Sequence, residues 1–396
     1  MTIRLARIET YLFRAEVSEA VKTSFGSIPR RSALLIRAED QDGAYGWGEI
    51  WCNFPPFSAD NKVNLMETVI APPALAGRFE GPAEAWHELT AKTRRWSIQS
   101  GELGPIAACL AGLDLALWDM TARRAALPLR RLLNRECDRD SVPAYASGLN
   151  PDSAVRTVQR ARQAGFRAFK VKVAFGLEND LAVLGQLGHE LGEGEKLMVD
   201  ANQGWDMADA RIAVPRLAAQ GVGGQGLRWQ GLGWQGLGWI EEPIPADSPA
   251  EHWAELAMLS DAPLAGGENV AGFANFASLI SARSHKVVQP DMLKWGGVTG
   301  CFAVARRAVD SGLTYCPHWL GSGIGLAAAA QLLAAVGGDG LLEHDVMENP
   351  LREALATPFP RVKRGVLPLP TGAGLGVEPD LAAGSRWLLD HREFRC

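Results

Sequence analysis

The chain has 396 residues, of which 47% are apolar, and a formal net charge of −5 at pH 7. This size suits one large domain with a smaller one, and the weakly acidic charge argues against nucleic acid as a partner. Because the N-terminus has no signal-peptide region, no apolar run reaches the ~20 residues of a membrane span, and the six cysteines show neither a Cys-x-x-Cys pair nor zinc-ligand spacing, we expect a reduced, cytoplasmic protein without a membrane partner.

Residues 1–125 are predicted to form a small α+β domain. The stretches IRLARIETYLF and SALLIRAED alternate as antiparallel strands do, and the polar turn VKTSFGS follows the first of them. A loop rich in glycine, proline and aromatic residues, GAYGWGEIWCNFPPFSAD, comes next. From Pro105 to Arg124 the apolar residues recur at helical spacing, which predicts a helix.

The following part of the chain repeats a short apolar segment that ends on a residue able to do polar chemistry. The steps between these residues are 28, 41, 27, 23, 27 and 25 residues, and each holds one helical stretch. This rhythm predicts a (β/α)8-type barrel over residues 126–355, in which the strand ends meet at one mouth. Residues 356–396 are expected to form a tail that packs back toward the first domain. The strand-end residues are Lys172, Asp200, Glu241, Glu268, Asp291, His318 and Glu343.

The one long step contains a five-residue near-repeat, GVGGQ, GLRWQ, GLGWQ and GLGWI, with indoles at Trp229, Trp234 and Trp239. Removing residues 221–235 would shorten the step from 41 to 26 residues and restore the period. We interpret the repeat as an expansion of a helix-to-strand connection, on the face of the barrel away from the mouth. An aromatic recognition loop is the alternative.

Asp200, Glu241 and Glu268 end or follow three successive predicted strands. They bring together three oxygen ligands and no sulfur, a set that Mg²⁺ or Mn²⁺ prefers over zinc. Three converging carboxylates would also repel one another without a cation. The alternative, separate surface carboxylates, is the commoner fate of acidic residues. We therefore predict a metal site for Mg²⁺, with Mn²⁺ as a second possibility.

Lys170 and Lys172 flank Val171 in FKVKV, so both side chains point to the same face of the second strand, into the barrel. Two adjacent ammonium groups lower each other's pKa, and a divalent cation nearby acts in the same direction. One lysine can then be neutral and act as a general base. A strand with two lysines on a solvent face is the alternative.

His318 and Asp291 end the seventh and sixth predicted strands, which are neighbours. A carboxylate that accepts a hydrogen bond from one imidazole nitrogen fixes the tautomer and raises the basicity of the other nitrogen. This pair would approach a substrate from the side opposite Lys172. The alternative is a core histidine satisfied by a neighbouring acid. Beside a Mg²⁺-bound substrate, Glu343 on the eighth strand is expected to stay protonated and to donate a hydrogen bond to a developing oxyanion.

The motifs FKVKV, VDANQGW, WIEEP, GGEN, QPDMLKWGGVTG and PHWLGSGIGL, in this order and spacing, resemble the mandelate racemase subgroup of the enolase superfamily. VKTSFG, GWGEIW and GLDLALWD resemble the capping domain of that family, so the resemblance covers nearly the whole chain. Enolase-superfamily sites use a Lys or His base with Mg²⁺ that stabilises an ene-diolate.

The resemblance implies a role for each matching residue. Asp200, Glu241 and Glu268 would bind Mg²⁺, while Lys172 and the His318–Asp291 pair would be the two bases. The substrate carboxylate would meet Lys170, Glu343 and Asn202. Loops around residues 22–24 and 51–57 would close over a small-molecule carboxylate substrate, and an assembly of identical chains is expected. The remaining substrate-binding candidates are Lys22, Thr23, Ser24, Trp51, Asn53 and Trp319.

The expected reaction is abstraction of the proton α to a carboxylate. Expulsion of a β-hydroxyl would follow in an acid-sugar dehydratase, which we favour because the family holds many of them. Return of the proton to the opposite face would give racemisation or epimerisation instead. More distant alternatives are a Schiff-base aldolase that uses Lys172, and a barrel that binds without catalysis.

Overall fold

The structure is a computed structural model that describes residues 2–220 and 236–395. The predicted indole repeat at 221–235, with Trp229 and Trp234, lies outside the described residues. Trp239, at the end of the repeat, is described and buried. The chain folds into a mixed cap and a parallel barrel, as the alternation of apolar segments predicts.

The cap is built on an antiparallel sheet in the order β13-β1-β2-β3. The long first two strands form a hairpin, with Thr23 opposite Gly26 at its tip. The alternating sequence buries one face of these strands against helices. The strands of the N-terminal part are β1 (Leu5–Thr23), β2 (Gly26–Asp40) and β3 (Tyr45–Ile50).

Five helices follow these strands. The fourth, which contains GLDLALWD, packs on β3, and glycines at Gly46 and Gly48 permit the contact, because a Cβ at either position would overlap the helix backbone. This helix is long and apolar enough to cross a membrane, but 72% of its apolar window is buried in the protein. The helices are α1 (Ser58–Leu65), continued by a π-helical turn (Met66–Ile70), α2 (Ala71–Leu75), α3 (Pro82–Ser100), α4 (Leu103–Arg124) and α5 (Leu129–Leu133).

The barrel has eight parallel strands, and parallel ladders join neighbours from β11 through β4 round to β10. The strands are β4 (Ser141–Leu149), β5 (Ala168–Lys172), β6 (Lys196–Asp200), β7 (Ile240–Glu241), β8 (Leu264–Gly266), β9 (His285–Val288), β10 (Thr314–Tyr315) and β11 (Leu342–Asp345). The helices between and after them are α6 (Ala154–Gln163), α7 (Leu177–Glu190), α8 (Met207–Ala219), α9 (Ala250–Met258), α10 (Phe273–Ala282), α11 (Gly297–Asp310), α12 (Gly323–Val336) and α13 (Pro350–Ala354).

The C-terminal segment returns to both parts of the protein. Its first strand, β12 (Val366–Pro368), pairs with β4 at the barrel. After the short helix α14 (Leu381–Gly384), the last strand, β13 (Leu388–Arg395), pairs with β1 and completes the cap sheet. The boundaries at 125 and 355 stay predictions.

Two buried carboxylates join the cap to the barrel. Glu49 on β3 accepts hydrogen bonds from Ser322 N (2.6 Å), Ser322 Oγ (2.8 Å) and Gly325 N (2.8 Å) at the start of α12. Arg31 on β2 donates to Asp345 Oδ2 at the end of β11 (2.8 Å). These contacts hold the cap over the mouth of the barrel, where the strand-end residues lie.

Candidate active site

The second barrel strand, β5, directs two lysines toward carboxylates on other strands. Lys172 Nζ lies 2.6 Å from Asp200 Oδ2, its partner in the β5–β6 register. Lys170 Nζ lies 2.6 Å from Glu241 Oε1 and 2.9 Å from Glu343 Oε1. The side chain of Lys170 is 1% exposed and that of Lys172 is 11% exposed, so Lys172 is the amine that a substrate can reach.

The charges around Lys170 favour its protonated form. Burial lowers the pKa of Lys170, but the attraction of Glu241 and Glu343 is stronger, and the pKa rises well above its usual value. This result differs from our expectation that two adjacent lysines depress each other's pKa, because the carboxylates around Lys170 outweigh its lysine neighbour. Lys170 is therefore a fixed cation, and Lys172 is the more exposed amine of the pair.

Glu241 is held on both of its oxygens. While Oε1 faces Lys170, Oε2 accepts hydrogen bonds from Trp239 Nε1 (3.0 Å) and Gln289 Nε2 (2.7 Å). Burial raises the pKa of Glu241 to about 7, although Lys170 opposes this shift. By contrast, Lys172 and Lys170 overcome the effect of burial at Asp200 and lower its pKa. Asp200 is therefore the more firmly anionic of the two.

His318 lies between two carboxylates from different strands. Its Nδ1 is 2.7 Å from Asp291 Oδ2, and its Nε2 contacts Glu268 Oε2. Asp291 is itself fixed, since its Oδ1 accepts a hydrogen bond from Leu293 N at 2.7 Å. Burial lowers the pKa of His318, but Glu268 and Glu343 raise it more, with help from Asp291, to about 10. The imidazole is therefore a protonated acid in this arrangement.

Glu343 bridges the two sides of the site. Its Oε1 faces Lys170, while its Oε2 accepts a hydrogen bond from Trp319 N (3.3 Å) and lies 3.9 Å from His318 Nε2. Burial raises the pKa of Glu343, but the attraction of Lys170 and His318 lowers it by more, so the net shift is downward. With an ammonium group at 2.9 Å, Glu343 is here a carboxylate that accepts hydrogen bonds, and its protonation beside a Mg²⁺-bound substrate stays a prediction.

The donor chemistry of Asp200, Glu241 and Glu268 suits Mg²⁺. All three are carboxylates, they end or follow adjacent strands, and Asp200 and Glu241 are register partners across β6 and β7. In the described part of the chain, no three His, Cys, Asp or Glu side chains form a ready metal site. Each of these carboxylates faces an ammonium or imidazole group of the chain instead. The residues fit a hard divalent cation by donor type, and they would turn from these partners to hold it.

A cavity of about 90 Å³ lies at the mouth of the barrel. Lys172 and His318, which come from strands that are not neighbours, both line it, together with Glu268, Glu343 and Asn202. The cap closes the cavity with residues of the β1–β2 hairpin and of the loop after β3. These cap residues are Val21, Thr23, Phe25, Ile28, Trp51 and Phe54.

Two of the candidates in the hairpin do not line this cavity. Lys22 Nζ forms an exposed salt bridge with Asp152 Oδ2 (2.7 Å). Ser24 Oγ donates to the backbone oxygen of Asn202 (2.6 Å) and so fixes the hairpin tip to the loop after β6. Their positions indicate that they hold the hairpin in place over the cavity, whereas Thr23 lines the cavity itself.

Asn53 and Trp319 also lie outside the lining. Asn53 Nδ2 donates to the backbone oxygen of Leu320 (2.7 Å), which joins the cap loop to the segment that follows His318. The Trp319 side chain is 1% exposed and packs edge-on against His344. These residues support the site from behind, and only the Trp319 backbone N–H reaches Glu343.

The comparisons with known proteins cover both parts of the chain. Residues 7–134 match the family model of the mandelate racemase / muconate lactonizing enzyme N-terminal domain, and residues 153–383 match that of the enolase C-terminal domain-like family. The chain belongs to the mandelate racemase / muconate lactonizing enzyme family. The resemblance in the motifs is thereby confirmed, and the chain is an enzyme of the enolase superfamily.

Relatives within this family catalyse several reactions. The D-galactarolactone cycloisomerase of Agrobacterium fabrum is 28% identical over 95% of this chain and 96% of its own. The L-talarate/galactarate dehydratase of Salmonella typhimurium is 33% identical over 63% of this chain and 59% of its own. Relatives of this chain thus include a cycloisomerase, a dehydratase and an epimerase. Membership of the family therefore does not by itself select one of these reactions.

Solved structures of the mandelate racemase family share the whole fold. A mandelate racemase/muconate lactonizing enzyme from Bordetella bronchiseptica RB50 is 45% identical, with a TM-score of 0.88 over 98% of this chain and 99% of its own. A racemase from Streptomyces coelicolor A3(2), solved with bound magnesium, is 25% identical, with a TM-score of 0.84 over 97% of this chain and 100% of its own. Magnesium is thus found in a structural neighbour of this family member.

Three polar residues near the site were not singled out from the sequence. Glu242 is buried with a backbone φ of +37°, and its Oε2 accepts a hydrogen bond from Asn269 Nδ2 (2.7 Å). Burial raises the pKa of Glu242 to about 8. Lys294 Nζ lies 3.1 Å from Asn269 Oδ1 and 3.5 Å from Glu268 Oε1. Each of the three lies in a motif that carries the family resemblance, next to or near a residue already predicted for the site. That proximity in sequence is the signal that could have pointed to it.

Proposed function

We propose that the protein removes the proton α to the carboxylate of an acid sugar and then expels the β-hydroxyl as water. The observation that carries this proposal is the single cavity lined by both Lys172 and His318. The two groups sit on strands two and seven of the barrel, and each has its own carboxylate partner. Such an arrangement supplies a base and an acid to one substrate.

Lys172 is the base in this proposal. Its amine is the more exposed of the two lysines, and Asp200 is its ion-pair partner among the described residues. Lys170 cannot replace it, because Lys170 is buried and its pKa is raised by the carboxylates around it. Lys170 would instead hold its positive charge next to the substrate carboxylate and oppose the build-up of negative charge on the enolate.

His318 is the acid. Asp291 fixes the imidazole through Nδ1, and this leaves Nε2 on the cavity side, where it now contacts Glu268. An imidazolium can give its proton to a leaving hydroxyl, and the hydrogen bond of Asp291 with Nδ1 favours this protonated form of His318. Glu343 would keep the substrate carboxylate between Lys170 and His318, since it already lies close to both of these residues.

Mg²⁺ would be held by Asp200, Glu241 and Glu268, and when bound it would supply the positive charge that stabilises an enolate. The oxygen-only donor set supports this assignment, and Mn²⁺ has the same ligand preference. We also infer a cytoplasmic location, because the described cysteines are buried free thiols. An assembly of identical chains stays a prediction.

Dehydration is favoured over the other outcomes because one relative that carries out dehydration is 33% identical in the aligned region. A racemase or epimerase would use the same two groups, with His318 returning the proton to the opposite face. The full-length likeness to a cycloisomerase supports testing lactones as well. A Schiff-base aldolase would have no use for the carboxylates that surround the lysines.

The test is a screen of acid sugars, their lactones and α-hydroxy acids with Mg²⁺ in D₂O. Loss of water, ring opening and deuterium uptake at the α-carbon are measured on the same samples. Dehydration gives a keto acid, whereas racemisation gives deuterated substrate of both configurations. Activity should vanish with EDTA and return with Mg²⁺ or Mn²⁺. The proposal is contradicted if neither turnover nor exchange occurs with any compound of the screen, or if the metal-free protein is fully active.

A further inference from the structure

Trp51 separates the catalytic cavity from a second, larger one. The second cavity measures about 400 Å³ and lies between α1, the start of α4 and the loops that follow β8 and β9. The catalytic cavity, at about 90 Å³, is small beside the roughly 300–1,000 Å³ of typical small-molecule pockets. Both cavities are lined by Trp51, Phe54, Glu268, Asn269 and Lys294. A substrate with its reacting end at Lys172 can therefore place its far end in the cavity beyond Trp51.

Lys62, on α1, is a buried ammonium group that Glu102 attracts without forming a salt bridge with it. It is 4% exposed and lines the second cavity, and its Nζ contacts Ser58 Oγ. In the described part of the chain it forms no salt bridge. The thiols of Cys52 and Cys109, which lie near it, are neutral, since burial raises the pKa of each to about 12. An isolated buried charge is unfavourable, and proteins pair such charges or use them for binding.

A second cation makes this cavity more attractive to an anion. Lys294 Nζ lies 4.8 Å from the centre of the Trp51 ring, and Lys62 Nζ lies 5.4 Å from it. Lys294 is already paired with Glu268 at 3.5 Å, so Lys62 is the ammonium group free to bind. Burial lowers the pKa of Lys62, and an anionic ligand would oppose that shift.

We propose that Lys62 and Ser58 bind a second carboxylate at the far end of the substrate, so that the enzyme prefers diacid sugars to monoacid sugars. One ammonium group and one hydroxyl offer a donor to each oxygen of a carboxylate. This inference rests on the proposed function for the reacting end at Lys172. It adds to that function the class of substrate, a sugar acid with carboxylates at both ends.

The test compares an aldaric acid with the aldonic acid of the same length and stereochemistry. The wild-type enzyme should have a kcat/KM at least about tenfold higher for the diacid, as expected for one buried charge pair. Lys62→Met should remove this preference by lowering the diacid value and leaving the monoacid value within about threefold. Lys92→Met is the matched control, because Lys92 lies on the cap surface and pairs with Glu88. It should leave both values unchanged.

A binding measurement separates this inference from the proposed function. Calorimetry with glutarate and pentanoate, which carry no hydroxyl to expel, should show tighter binding of glutarate to the wild type and no such difference in Lys62→Met. Glutarate should also compete with the sugar acid substrate. If no acid sugar reacts or exchanges its α-proton, the proposed function fails, while the glutarate preference still tests Lys62.

The stability of Lys62→Met gives a further check. A residue that serves only the fold should lower the melting temperature when it is replaced, whereas removal of an unpaired buried charge should leave that temperature unchanged or raise it. Should Lys62→Met fail to fold, Ser58→Ala keeps the ammonium group and is expected to weaken the diacid preference about threefold. A wild-type enzyme that favours the monoacid, a diacid preference that survives in Lys62→Met, or non-competitive inhibition by glutarate would each overturn the inference.

Discussion

On one side of the barrel mouth two ammonium groups meet three carboxylates, and on the other a single imidazole lies between two. Lys170 and Lys172 neighbour each other on β5 and share Asp200 within 3.6 Å. His318 has no cationic neighbour in its own segment, and Asp291 and Glu268 hold its two nitrogens. The lysine side is a network of charges, and the imidazole side is a chain of hydrogen bonds.

The two sides of the site therefore have different roles, charge balance on the lysine side and orientation on the imidazole side. In the lysine network, the buried Lys170 takes up the excess negative charge, which leaves the more exposed Lys172 with one partner. In the imidazole chain, orientation comes from Asp291, whose other oxygen is fixed by a backbone N–H. Removal of a charge on the lysine side should therefore lower the activity strongly. Removal of the group that orients the imidazole should lower it less.

Replacement of Lys172 by Met should have the largest effect. Lys172 is the proposed base among the groups that line the cavity, so without its amine deuterium exchange and net turnover should both fall by about 10³-fold or more. The measurement is exchange at the α-carbon in D₂O, followed by NMR, on protein whose fold is checked by circular dichroism. Exchange at the wild-type rate would show that the base lies elsewhere.

His318→Asn should stop net turnover by a comparable factor of about 10²–10⁴ but keep exchange. Lys172 can still remove the proton from substrates that present it on the lysine side, so deuterium enters without product. The comparison of exchange with product formation in one sample gives the result. Unchanged turnover would contradict the assignment of two different groups to two faces, provided that the wild type acts on the same substrate.

Asp291→Asn tests orientation alone. The amide cannot stabilise the imidazolium as the carboxylate does, so we expect a loss of about 10–100-fold in kcat. The pKa of His318 should also fall, because a hydrogen bond that raises it becomes weaker. For a group that acts as the acid, the alkaline limb of the pH–rate profile should then move to lower pH. If the alkaline limb stays at the same pH in the variant, that limb belongs to another residue.

The strand-end residues could be predicted because their positions follow from spacing and from the pleat. Asp200, Glu241 and Lys172 are register partners across β5, β6 and β7, so a correct strand assignment places them in one row. The cation that each carboxylate meets could not be predicted, since it depends on side-chain rotamers. This is why the downward shift in the pKa of Glu343, which comes from Lys170 and His318, could not be read from the spacing.

The lid was harder to predict for a related reason. The composition of VKTSFGS predicts a turn, yet β1 continues to Thr23. Alternation along the strand places Val21 and Thr23 toward the cavity and Lys22 outward. Continuing the strand's alternation from residue 13 to Thr23 sorts these side chains correctly. Asn53 and Trp319 lie on loops, where no periodicity tells which side chain points inward.

The smallest expected effect concerns Glu49, the cap residue that anchors the imidazole side at the start of α12. Burial raises the pKa of Glu49 to about 7, although Ser322 and Gly325 donate hydrogen bonds to it. Its folded-state pKa lies above the usual value of about 4.5, so its contribution to stability is complete below pH ~4.5 and is lost as the pH rises through ~7. The full shift corresponds to about 3 kcal/mol at most.

Glu49→Gln should remove this part of the pH dependence. The difference in melting temperature between pH 4.5 and pH 8 should be smaller in the variant than in the wild type, while other buried acids such as Asp114 contribute equally to both. Asp114→Asn, which changes a buried acid that joins α4 to α11, is the matched control. If the imidazole side depends on Glu49 for orientation, Glu49→Gln should also lower kcat severalfold, and Asp114→Asn should not. Equal effects of both variants on kcat would mean that the cap acts on the site as a whole and not through the start of α12.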